Sequence, residues 1–354
     1  MAARATAPIT NAMSVDVEDY FQVSALAGVA PRDCWDAFES RVAANTDRLL
    51  DLFAETGVRC TFFVLGWIAE RQPALVRRLA SAGHEIASHG FDHQLVDDLG
   101  CDGFRADVGR TRRLLEDVTG RTVAGYRAPS YSITRRSLWA LDVLLEEGYR
   151  YDASIFPVHH DRYGIPDAPR HPHQIERNGG RLVEVPPATV RLLGVNLPVA
   201  GGGYFRLLPY AWTRWGIARI NRSERKPAVF YLHPWEIDPD QPRLRPSLLS
   251  RVRHYRNLDK TEDRLRALCA EFRFGAIEDV LGTAGLLAPS PGRQPGVVSE
   301  PLSPGREPGV SGATAPGPGR DIAASGVTTP SPGREPGVSL TASVRDREPT
   351  AGER

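Results

Sequence analysis

Cysteine is scarce in this chain: Cys34, Cys60, Cys101 and Cys269 are the only four in 354 residues, and none forms a C-x-x-C pair. A disulfide scaffold and a cysteine-rich zinc module are therefore excluded, and free, mostly buried thiols in a reducing compartment are expected. Long apolar runs are also missing. No stretch reaches the ~18 residues that a membrane-spanning helix requires. The start, MAARATAPITNAMSVDVEDYF, has no continuous apolar segment of the secretory kind. A cytoplasmic protein without a membrane span is the expectation, with Met13 as a second candidate start. A strong charge of either sign is absent too. The formal net charge is +1, which supplies no electrostatic reason to expect nucleic acid or an anionic surface as partner.

Hydrophobic residues make up 41% of the chain, enough for a sizeable core. They end as a periodic pattern near Leu287. Beyond it the sequence is rich in Pro, Gly, Ser and Arg, and an octapeptide recurs as SPGRQPGV at 290–297 and SPGREPGV at 303–310 and 331–338. Such a segment buries too little apolar surface to offset its ordering entropy. The expected organisation is a flexible start over 1–11, one domain over 12–284, and a disordered tail over 285–354.

Within the domain, short apolar strands alternate with helical periodicity. Strands are expected at 13–17, 60–65, 84–88, 123–126, 149–152, 182–185 and 228–232. Helices are expected at 41–54, from Pro73 to before Gly83, at 104–118, from a Thr134 cap to Glu147, and at about 260–272. This alternation predicts an α/β fold: a distorted (β/α) barrel of about seven parallel strands, whose functional residues gather at the C-terminal strand ends.

Four polar clusters sit at those ends. Ser-Val-Asp-Val-Glu-Asp-Tyr (14–20) places three carboxylates within four positions after an apolar strand, which would repel one another without a cation; an acidic turn is the plain alternative. Asp16 and Glu18 share a face if the strand continues. In Ser-His-Gly-Phe-Asp-His (88–93), His89 and His93 are four apart, a pair that with one carboxylate leaves open coordination positions on a metal. Surface or capping histidines are the alternative. Tyr-Arg-Ala-Pro-Ser-Tyr (126–131) offers Arg127 for a bidentate carboxylate contact. Phe-Tyr-Leu-His-Pro-Trp-Glu (230–236) ends a strand at His233, and Pro234 forces a turn.

Taken in order, Val-Asp-Val-Glu-Asp, His-Gly-Phe-Asp-His, Arg-Ala-Pro and Leu-His resemble the motifs of the polysaccharide deacetylases with the NodB-homology domain, carbohydrate esterase family 4, over about residues 12–282. The segments S-V-D-V-E-D-Y-F, G-G-G-Y-F-R (201–206) and Y-L-H-P-W-E-I-D-P look like a narrower branch associated with exopolysaccharide clusters that carry exosortase systems. The resemblance implies a metal-dependent hydrolase that removes N-acetyl groups from an N-acetylated oligo- or polysaccharide, here an exopolysaccharide or its lipid-linked precursor. It implies a divalent metal, zinc by the donor types, on Glu18, His89 and His93. Asp19 stands as the alternative to Glu18, because Val17 separates aspartates that are adjacent in many members. It further implies Asp16 as general base, Arg127 as its partner, His233 as proton donor, and Asp152 fixing the His233 tautomer. The usual R-x-P-Y reads Arg127-Ala128-Pro129-Ser130 here, with Tyr131 one place late, so a backbone N–H near Ser130 is the candidate oxyanion donor. Tyr131, Tyr204 and Trp235 are candidate sugar platforms, with Leu232 beneath the acetyl methyl. The aperiodic stretch 158–173 reads as a long loop over the site, whose His159, His160, His171 and His173 are candidates for a second metal or plain solvated residues. Two other readings are kept: a cyclic-amide hydrolase of the same fold, and a non-catalytic carbohydrate-binding scaffold.

Overall fold

The computed structural model describes residues 8–160 and 162–288. Most of the expected flexible start and all but the first four residues of the expected tail lie outside these described residues. The elements in chain order are β1 (Asn11–Val17), α1 (Val42–Thr56), β2 (Thr61–Val64), α2 (Gly66–Arg71), α3 (Pro73–Ser81), β3 (Glu85–Ser88), α4 (Val96–Thr119), β4 (Gly125–Tyr126), α5 (Ala140–Glu146) and β5 (Tyr151–Asp152). They continue with β6 (His173–Arg177), β7 (Gly180–Glu184), β8 (Thr189–Leu192), β9 (Val195–Pro198), α6 (Gly202–Leu207), α7 (Tyr210–Arg219), β10 (Val229–Leu232), α8 (Leu248–Tyr255), α9 (Leu258–Glu271), β11 (Phe274–Gly275) and α10 (Ile277–Thr283).

Seven strands run parallel in the order β10-β1-β2-β3-β4-β5-β7, and β11 adds in parallel to the start of β1. The chain beyond β7 nearly closes the sheet into a barrel: Val185 N donates to Asp152 O, and three residues on Ala188 N donates to Val229 O on β10. Strand alternation sorts the side chains into two layers. Met13, Val15, Val17, Phe62, Val64, Phe230 and Leu232 point outward and pack under the helices. Ala12, Phe63, Ala87, Tyr151, Val183 and Val229 point inward. Helix α10 plugs the N-terminal mouth with Ile277, Val280 and Leu281, leaving the C-terminal mouth for the site.

Several elements differ from expectation. Helix α5 begins at Ala140, because Ser137 Oγ takes the Thr134 N–H and the chain spends 134–139 in turns. Helix α4 begins eight residues early, through a break at Gly100 (φ 65°). Strand β6 pairs antiparallel with β7, and β8 with β9, as two hairpins the sequence reading had not found. All four cysteines are free; Cys60 and Cys269 are buried, whereas Cys34 and Cys101 are exposed.

Candidate functional site

At the end of β1, Asp16 points into the C-terminal mouth beside Arg127, the first residue past β4. Arg127 Nη1 donates to Asp16 Oδ1 at 2.5 Å and to Ser14 Oγ at 3.0 Å, and Nε donates to Ala153 O at 3.3 Å. The guanidinium is fully buried and lies over the Phe63 ring, 4.1 Å from its centroid. A buried ion pair of this kind is costly to desolvate and is a poor route to stability alone, but it fixes the orientation of the carboxylate.

After Val17 the strand turns tightly, with Glu18 N donating to Asp16 O. The turn sends Glu18 into the mouth and Asp19 away from it. Asp19 accepts from Ser40 Oγ, from the N–H groups of Arg41 and Val42 at the start of α1, and from Tyr20 N. The alternative of Asp19 as metal ligand is therefore corrected: its oxygens are engaged on the helix N-terminus.

His89 follows β3 directly, and the loop to His93 turns through positive φ at Gly90 (73°) and His93 (59°). Asp107 on α4 clamps this loop by accepting the Phe91 N–H with both oxygens, and Gly90 O and Phe91 O accept from Gly66 and Trp67 N–H at the start of α2. His89 Nδ1 lies 2.8 Å from the Arg127 carbonyl. A carbonyl can only accept, so Nδ1 carries the proton and Nε2 presents its lone pair to the mouth. Burial first, then the neighbouring His93, pushes His89 down to about 3, so it is neutral. His93 Nε2 lies 3.0 Å from Glu18 Oε2. Burial pushes the Glu18 carboxyl up, but His93 and His233 outweigh it and hold it below its ordinary range. One ligand atom from each of Glu18, His89 and His93 lies within 4.8 Å of the other two, the one such group among the described residues. One ionised carboxylate and a neutral imidazole whose tautomer is fixed from behind, with a second imidazole alongside, fit a divalent cation.

His233 ends β10 on the far side of Asp16. Its Nε2 lies 3.1 Å from Glu18 Oε1 and 3.8 Å from Asp16 Oδ2. Its Nδ1 lies 2.5 Å from Glu236 Oε1, which also accepts the His233 N–H. Glu236 Oε2 accepts from Arg206 Nε at 2.6 Å, and Arg206 Nη1 donates to the carbonyls of His254 and Arg256. Burial alone would lower His233, but Glu18, Glu236 and Asp16 together raise it to about 9. The expected tautomer partner, Asp152, is elsewhere. Tyr151 and Ala153 face the barrel interior, so strand alternation turns Asp152 to the outer face, where it accepts from Ser154 Oγ and pairs with Glu184. Glu236 takes that place. The sequence cue was the three-residue spacing in His-Pro-Trp-Glu, where Pro234 opens a short 3-10 turn that swings Glu236 back under His233.

These groups form the floor of a cleft of about 770 Å³ walled by Tyr131, Tyr163, Tyr204 and Tyr231. Ser130 lines it in a left-handed turn shared with Tyr131 (both φ 54°), its hydroxyl 2.8 Å from Ser24 Oγ. Three expected contacts are corrected. Leu232 is buried in the outer layer under the helices, and alternation brings Tyr231 to the cleft instead. Pro129 is buried beside Gly90 and is not part of the lining. Trp235 touches the cleft only by its edge: its faces are covered by His233 (5.3 Å between centroids) and His254 (4.2 Å). The 158–172 stretch is irregular, as expected, and contributes His160, Arg162 and Tyr163 to the wall. Its histidines do not converge: His160 stacks on Tyr163, His171 Nε2 meets Glu224, and His173 Nδ1 meets the His171 carbonyl.

Residues 32–151 match the polysaccharide deacetylase family. Over that segment the chain carries a polysaccharide deacetylase domain of the NodB-homology kind. Residues 153–282 match a domain of unknown function (DUF3473). The site draws on both segments and on the strand before them: His89, His93 and Arg127 lie in the first, His233, Glu236 and Arg206 in the second, and Asp16 and Glu18 precede both. Over 98 residues the chain is 32% identical to a peptidoglycan-N-acetylglucosamine deacetylase of Bacillus cereus, covering 27% of this chain and 36% of that protein. Over 114 residues it is 30% identical to a chitooligosaccharide deacetylase of Rhizobium leguminosarum bv. trifolii, covering 32% and 49%. These matches thus span between about a third and a half of the relatives' length. Two crystal structures share the fold: one from Mycobacterium smegmatis, assigned provisionally to the polysaccharide deacetylases (TM-score 0.54, 23% identity, 84% of this chain and 99% of that one), and Puue allantoinase (TM-score 0.53, 14% identity, 79% and 92%).

Proposed function

We propose that this deacetylase-type domain is a metal-dependent hydrolase that removes N-acetyl groups from the sugars of a polysaccharide, with an exopolysaccharide or its lipid-linked precursor as the substrate class. The observation that carries the reading is the convergence of Glu18, His89 and His93 within 4.8 Å of one another, flanked by the Arg127-held Asp16 on one side and the Glu236-held His233 on the other. Glu18, His89 and His93 would hold a divalent cation, zinc by its donor set, which would supply Lewis acidity for the acetyl carbonyl and for the attacking water.

The chain's own groups do the rest. Asp16 takes the proton of the attacking water, and the buried Arg127 keeps its carboxylate oriented. A backbone N–H of the left-handed turn at Ser130 donates to the oxyanion. His233, in its protonated form, gives its Nε2 proton to the departing sugar amine while Glu236 holds Nδ1. The tyrosine walls provide flat apolar faces for sugar rings. The fold alone is shared by the M. smegmatis and allantoinase structures at nearly equal TM-scores, so the choice between a linear acetamide and a cyclic amide rests on the site.

The test is metal content together with acetate release from N-acetylglucosamine oligomers. His89→Ala loses bound metal and turnover together. Asp16→Asn keeps the metal and loses about 10²–10⁴-fold in kcat. Wild-type protein that carries metal and opens a cyclic amide, yet frees no acetate, would sink this reading in favour of the cyclic-amide one.

A further inference from the structure

Helix α8 stands beside the cleft and has two dissimilar faces. Ser250, Arg253 and His254 line the cleft. The other side is exposed and apolar: Leu248, Leu249 and Val252 retain 74%, 60% and 45% of their accessible surface. Between this side and the preceding segment runs a second groove of about 840 Å³, with Leu248 and Val252 in its lining and Arg243, Arg245, Arg251 and Arg256 around it. Residues 241–256 contain five arginines and no carboxylate. All five are exposed, and none takes part in an ion pair among the described residues, although Asp240 and Asp259 flank the segment.

Charged groups left unpaired beside large exposed aliphatic side chains mark a surface for a partner that is both anionic and apolar. We propose that this face of α8 docks on an anionic phospholipid bilayer, with Leu248, Leu249 and Val252 entering the headgroup boundary and the arginines meeting lipid phosphates. A nucleic acid has phosphates but nothing to receive three aliphatic side chains in a row. A glycan stacks its rings on aromatic faces, which this patch does not offer at its exposed positions. A second copy of the chain would bring the four arginines of this groove against the same four across a two-fold axis. Docking holds the cleft, on the opposite side of the same helix, one helix diameter (~10 Å) from the membrane surface, within reach of a sugar tethered to a lipid; this last consequence rests on the deacetylase reading, whereas the docking does not.

The experiment is sedimentation of the full chain with sucrose-loaded vesicles of phosphatidylcholine alone and of phosphatidylcholine with phosphatidylglycerol. Binding to the anionic vesicles is expected to exceed binding to the neutral ones about tenfold and to weaken at ~0.5 M NaCl. The pairs Leu248→Ser with Val252→Ser and Arg245→Glu with Arg251→Glu are each expected to lower it about tenfold, with circular dichroism and melting unchanged. For wild-type protein, backbone hydrogen exchange over 245–256 is expected to slow when anionic vesicles are added, a reading that needs no variant. No preference for anionic vesicles, sedimentation of both variant pairs like wild type, or unchanged exchange over 245–256 overturns the proposal. So does a wild-type dimer in light scattering that the serine pair converts to monomer while vesicle binding persists.

Discussion

Glu236 shows how one side chain sets the state of another. Its carboxylate sits between His233 Nδ1 and Arg206, fully buried, and is held below its ordinary range: burial pushes it up, but Arg206 and His233 outweigh burial. It therefore remains an acceptor and keeps the His233 proton on Nδ1, aiming Nε2 at Glu18 and Asp16. Glu236→Gln keeps the size and the contact to Arg206 but replaces a charged acceptor with a neutral amide. The expected outcome is a kcat lower by about 10–100-fold with metal content unchanged, read by acetate release and elemental analysis. Equal loss of metal in this variant would mean that the residue supports the cation site and not His233. The Asp16–Arg127 pair was legible in sequence through the resemblance to the deacetylase motifs, which implied it. Glu236 was legible only as a three-residue spacing after His233, while its second partner, Arg206, arrives from a separate helix thirty residues earlier.

At the scale of elements, the acidic run 16–19 divides its labour by geometry. The turn after Val17 lets Asp16 and Glu18 share the mouth while Asp19 caps α1 from outside the helix, across twenty-odd residues. Anionic charge at a helix N-terminus is favourable, although burial pushes the Asp19 carboxyl up despite four donors. Asp19→Ala is expected to lower stability by about 2 kcal/mol through the lost cap and the orphaned N–H groups, measured by urea denaturation, while metal content stays that of wild type. Metal loss without a stability change would restore Asp19 as a ligand. Strand parity explains the other misplacements: Leu232 and Asp152 both lie one residue from a position that faces the interior, and a shift of one along a strand exchanges its faces.

For the whole molecule, burial of carboxyls in the outer layer has a thermodynamic consequence. Burial pushes Asp152 up to about 6 despite its hydrogen bonds, and pushes its neighbour Glu184 well above the ordinary carboxyl range. The folded protein thus keeps protons that the unfolded chain releases near pH 4. For groups raised on folding, stability is greatest below the unfolded pKa and is lost as pH climbs through the folded one. Stability should accordingly fall between about pH 4 and pH 6, and Asp152→Asn should flatten that fall by an amount on the order of 2 kcal/mol, seen by comparing urea midpoints at the two ends of the window. A wild-type profile that rises over this window counters the assignment of a buried, proton-sharing pair.

The sequence by itself determined the parallel strand–helix alternation, the strand ends, and the residue types gathered there, because apolar periodicity and chain-terminating Gly and Pro are local signals. Tertiary structure decided which carboxylate faces the mouth, which acid supports His233, and which aromatic rings stay free. Those outcomes depend on strand parity, on a single tight turn after β1, and on contacts such as Arg206–Glu236 and His233–Trp235–His254 between elements distant in the chain. No local pattern encodes such contacts, because each forms only when the closing barrel brings its partners to the same rim.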